Sequence, residues 1–147
     1  MDQACYAALT NVANEWNKAE GLMKVAERVR AEVVLPSVNE LRYAGRRLVD
    51  AWVVAPQIAQ NPALRSDFDA YIKDALFRCH CAQHDAIDAA VLFVQAAMDT
   101  YEKDFGLAAL MTHLPEVADL RLSLSEADDL IVSSRRQRGS AQQITIS

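Results

Sequence analysis

Apolar residues recur along the first part of the chain with the alternating three–four spacing of one helix face. Cys5, Val12, Ala19, Ala26 and Val33 stand seven residues apart. Leu9, Trp16 and Met23 form the interleaved register, with Arg30 as its one polar break. This pattern predicts a helix from about Gln3 to Val34, roughly 45 Å long at ~1.5 Å per residue. Pro36 interrupts it, and Ser37 with Glu40 reads as a capping box. Val38, Leu41, Ala44 or Gly45, Leu48, Trp52 and Ala55 make the apolar face of a second helix. It either starts afresh at Ser37 or continues the first through a proline kink, and it weakens at Pro56.

A third helix is expected from about Ser66 to Phe105, with Gly106 as its C′ residue and Asp67 and Asp69 favoured near its N-terminus. Phe68, Ile72, Ala75, Cys79, Ala82, Ala86, Ala90, Phe93 and Ala97 share one face, the expected core stripe. Its second half also carries Ile87, Val91, Leu92, Val94 and Met98, so it is apolar nearly all round. A helix of that kind is central to its bundle or is covered by another chain. The segment 107–138 reads as one helix or two. Leu120, Leu122 and Leu124 alternate like a strand, Ser125 with Asp128 is a second start signal, and Gly139 is a stop with Arg135, Arg136 and Arg138 in the last turn.

These elements give an all-α fold class: an antiparallel, up-down bundle of about four long helices, expected to be oligomeric with a homodimer favoured. Residues 1–138 form the expected single helical-bundle domain, and 139–147 a flexible C-terminal tail. The length of 147 residues fits one core that needs neither disulfide nor metal.

Composition narrows the function classes. A net charge of −5 argues against general nucleic-acid binding. The longest nearly apolar run, Ala89 to Met98, is too short to span a membrane. Three cysteines, an odd number behind a start without an apolar leader, point to a reducing cytoplasm.

The stretch "ALFRCHCAQHDAIDAAVLF" concentrates the chemistry-bearing side chains. On a helix Cys79 turns into the core and Cys81 points roughly 160° away, so the pair cannot clasp one ion. His80, His84 and Asp88 form a ridge at i, i+4, i+8, a weak candidate for metal ligation. Arg42 and Arg46 are i, i+4 neighbours on the second helix and suit a phosphate. Arg42, Arg46, His80, His84 and Asp88 are therefore the candidate ligand-binding residues, for a small anionic ligand. Trp16, Trp52, Phe77, Phe93 and Tyr101 are the aromatics available to a cleft or an interface.

No Gly-rich phosphate loop, Gly-x-Ser-x-Gly or Glu-x-x-His occurs, and no spacing pairs a nucleophile with its base. The sequence therefore nominates no catalytic residue and no cofactor. It favours a small helical protein acting by protein–protein contact or self-association, with a ligand cleft between helices as an added feature. The alternative is an enzyme or binding domain for a phosphorylated or nucleotide ligand, built on the arginine pair and the histidine ridge.

Overall fold

A computed structural model describes residues 1–144, with the side chains of residues 134 and 137–144 outside that description. Five α-helices account for nearly all of it: α1 (Gln3–Arg30), α2 (Leu35–Val54), α3 (Leu64–Phe105), α4 (Leu107–His113) and α5 (Val117–Ile144), with a 3₁₀ turn at Ala55–Gln57. Among the described residues no helix is long and apolar enough to cross a membrane. The chain divides into two compact units, Met1–Ile87 and Asp88–Ser147, and α3 contributes to both.

In the first unit, α1 starts on the carboxylate of Asp2, which accepts the Cys5 N–H at 2.7 Å. It stops earlier than its apolar pattern suggests. Ala31 adopts a left-handed conformation (φ 56°) and ends the helix at Arg30, so Val33 and Val34 lie outside it. The chain then re-enters helix at Leu35, with Pro36 in the first turn, where a missing N–H costs nothing. Ser37 and Glu40 form no capping box, because tertiary partners claim both side chains. The fully buried Ser37 hydroxyl donates to the Ala82 carbonyl at 2.8 Å, and Glu40 accepts from Arg78 at 3.2 Å.

Such cross-links fix the helix directions. Asp2 meets Arg65, and Glu15 meets Gln83, so α1 and α3 run parallel. Ser37 meets Ala82, Glu40 meets Arg78, and Arg47 meets Asp74, so α2 runs antiparallel to α3. The core between them is built from small residues and a few large ones. Cys5, Leu9, Ala51, Ala55 and Phe68 cluster at one end, and Ala19, Leu41 and Ala82 further along. Gly45 allows α1 and α2 to approach closely, since a β-carbon there would sit 3.1 Å from the Trp16 ring.

The second unit contains α3 from Asp88 onward, α4 and α5. Gly106 (φ 86°) ends α3, as its place after Phe105 suggests, and also begins α4. Met98, Leu110 and Val117 form the core, with Val94, Tyr101, Leu114, Leu120 and Leu124 packed on it. This decides how the leucine-rich segment folds. Val117, Leu120, Leu124 and Ile131 repeat with helical period and point inward, while Leu122 is exposed. The strand-like alternation is therefore coincidental. A single helix runs through Ser125 and through Gly139 to Ile144, so neither residue marks the boundary its type suggests. Of the tail expected at 139–147, residues 145–147 lie outside the described residues.

The core stripe of α3 needs one correction. Phe68, Ala75, Cys79, Ala82 and Ala86 are buried as expected, but Phe93 and Ala97 are exposed and Met98 is buried in their place. Up to Ile87 the helix packs on α1 and α2. Beyond it, within the second unit, the helix packs on α4 and α5 through Val94, Met98 and Tyr101.

Candidate functional site

The histidine ridge is divided by its partners. His80 is largely exposed, and its Nε2 lies 3.4 Å from Glu15 Oε2 on α1. Glu15 also accepts from Lys18 at 2.5 Å and from Gln83 at 3.0 Å. These contacts, the Lys18 hydrogen bond first and the Gln83 one next, hold the Glu15 carboxyl below its ordinary pKa although burial opposes them. His84 is half-buried and engaged. Asp88 belongs to the second unit and pairs with Arg135 of α5. Among the described residues, no group of three or more His, Cys, Asp or Glu side chains is placed to hold a metal ion.

Cys79 is fully buried. Burial, with a lesser push from the Glu15 charge, raises its thiol pKa to about 11, so it behaves as a small hydrophobe. Cys5 is also buried and raised, by desolvation first and then by its neighbour Asp2. Cys81 is half-buried.

Arg42 and Arg46 lie roughly 140° and 180° round α2 from Ser37, at ~100° per residue. They therefore point away from the side that meets α3. Both are exposed, and Arg46 pairs with Asp50 at 2.9 Å within the helix. His80 faces α1, so the described contacts do not bring the arginine pair and the histidine ridge to one centre.

The polar cluster that does form between helices is one that local patterns missed. Asp74 of α3 accepts from Arg47 at 2.8 Å, and its Oδ1 lies 3.4 Å from Arg78 Nε. Arg78 also binds Glu40, and its guanidinium lies 5.5 Å from the Tyr43 ring centroid. Burial works against the charged Arg78, but Glu40 and Asp74 outweigh it and raise its pKa. Positive and negative charges alternate here, so the cluster stitches α2 to α3 rather than waiting for an anion.

The outward face of α2 is different. Beside Arg42 and Arg46 it exposes Val49, Trp52 and Val53, and Trp52 as a residue is 60% accessible. The sequence pattern assigned Trp52 to the apolar face of its helix. The buried residues of α2 are instead Ser37, Leu41, Ala44 and Ala51, and Trp52 lies on the flank of that set. In the second unit, two hollows of about 380 and 410 Å³ adjoin along α3. Phe93, Ala97 and Tyr101 line both, and the larger part of each wall is apolar.

Compared with known protein families, curated proteins and solved structures, the chain matches none.

Proposed function

We propose that this chain is a small helical protein that works by self-association and protein–protein contact, with the outward face of α2 as its contact surface and a dimer as its basic state. The observation that carries this reading is the exposure of Trp52, Val49 and Val53 at adjoining helical positions beside two arginines. Scattered exposed apolar residues are ordinary, but a contiguous patch is a contact site. Tryptophan and arginine are the residues that most often dominate binding energy. Burial of side chains of this size contributes about 1.5–3 kcal/mol each. Three cysteines outside any disulfide fit a reducing compartment, and we place the protein in the cytoplasm on that ground.

Trp52 reports on this contact directly. With Trp16→Phe, it is the remaining tryptophan. Acrylamide quenching of its fluorescence is expected to be strong in dilute solution and to weaken as protein concentration rises. Quenching that does not change with concentration overturns the reading.

The paired hollows around Phe93 favour a second role, the binding of a small apolar ligand. Their volumes lie within the range of ordinary ligand pockets. Saturable binding of an apolar dye, lost in Phe93→Asp, is the expected result; binding that survives this change overturns the role.

A further inference from the structure

We propose that the outward face of α2 docks on the outward face of α5 from a second copy of this chain, with Arg46 against Glu126 and Arg42 against Asp129. The proposal rests on the self-association reading above and names the surfaces that would carry it. On α2, Arg42, Arg46, Val49 and Val53 are spaced four, three and four residues apart, so they share one side of the helix, and all are exposed. Arg42 has no ion-pair partner among the described residues, and Arg46 has only its i, i+4 pair with Asp50. On α5, Asp119, Leu122, Glu126 and Asp129 are spaced three, four and three apart and are likewise exposed. Its three carboxylates have no ion-pair partner among the described residues.

The two faces carry opposite charge at matching intervals. Arg42 to Val49 is seven residues, and so is Leu122 to Asp129. Laid antiparallel, Asp129 meets Arg42, Glu126 meets Arg46, and Leu122 meets Val49 over two turns, or about 10 Å. Flanking charge pairs of this kind set partner and direction, while the apolar contact excludes water. An α5–α5 contact would set carboxylates against carboxylates, and an α2–α2 contact would leave the arginines without acids. The α2–α5 pairing answers both. The Arg46 end of the Arg46–Asp50 pair is exposed, and Asp50 keeps Arg47 as a partner, so Arg46 can turn to Glu126 without leaving Asp50 unpaired.

The test uses two variants of the full chain, Arg42→Glu/Arg46→Glu and Glu126→Arg/Asp129→Arg, each checked for helix content and thermal midpoint. In sedimentation velocity, each variant alone should associate roughly 100-fold more weakly than the unmodified chain. An equimolar mixture should recover association, because unlike chains again present opposite charges. If either charge reversal unfolds its chain, the Gln substitutions at the same positions replace it, with a smaller loss and a flatter salt dependence expected. The proposal is overturned if the unmodified chain associates and a folded variant associates equally well, or if two folded variants fail to recover association on mixing. In those cases self-association itself stands. A monomeric unmodified chain at tens of micromolar overturns both.

Discussion

The Ser37 hydroxyl donates a 2.8 Å hydrogen bond to the main-chain carbonyl of Ala82, joining the first turn of α2 to the middle of α3 across a fully buried contact. Ser37→Ala leaves no unpaired donor behind, so it is expected to cost about 1 kcal/mol. Ser37→Val adds bulk beside Ala82 and should cost more, of order 1–3 kcal/mol. Urea unfolding monitored by circular dichroism measures both. A Ser37→Val chain as stable as the unmodified one would show that this contact has room to spare.

Three glycines separate conformational need from packing need. A β-carbon at Gly21 meets nothing within 4 Å, so Gly21→Ala should stabilise α1 by roughly 0.5–1 kcal/mol. The same change at Gly45 meets the Trp16 ring at 3.1 Å, which should cancel that gain or reverse it. Gly106 sits at φ 86°, ψ 158°, a region essentially restricted to glycine, so Gly106→Ala should destabilise by about 1–3 kcal/mol. Thermal unfolding of the three variants should rank them in that order.

Thiol labelling follows burial. Cys5 and Cys79 are buried with raised pKa values, Cys79 to about 11, and Cys81 is half-buried. Reaction with a thiol reagent near pH 7.5 should modify Cys81 first, and the other two only on unfolding. Mass spectrometry after partial labelling identifies the site; rapid modification of Cys79 in the folded chain would contradict its place in the core.

Acid should weaken the first unit. Asp2 and Glu15 both have lowered pKa values when folded, Asp2 chiefly through the Cys5 N–H and Glu15 chiefly through Lys18. The unfolded chain therefore binds more protons as pH falls below about 4–5. Their contribution is complete above that range and is lost as pH drops through the folded values. The thermal midpoint should fall between about pH 5 and 3, and Glu15→Gln should lessen the drop. A midpoint unchanged over that range, or an unaltered slope in Glu15→Gln, would contradict these contacts.

Helical periodicity alone located Cys79, Ala82 and the first half of the α3 stripe, because those residues face the same neighbours throughout. It failed at Phe93 and Ala97, because in the second unit the stripe with Val94 and Met98 is the packed one. Ser37 and Glu40 match a local capping pattern, yet residues some forty positions away take both side chains. Trp52 fits the apolar spacing of α2 and is nevertheless exposed. The Arg47–Asp74 and Glu40–Arg78 contacts depend on long-range pairing and have no local signature. Of the residues proposed for ligand binding, the sequence placed Arg42 and Arg46 four apart on one helix, and both are exposed there. It could not show that His80 would turn toward Glu15 or that Asp88 would pair with Arg135.

The most direct measurement is the solution mass of the unmodified chain by light scattering at concentrations of about 1–100 µM. A mass rising toward twice the protomer's 16.3 kDa, and returning to 16.3 kDa in Val49→Asp/Val53→Asp, is the expected result. A mass of 16.3 kDa at every concentration would contradict self-association through α2.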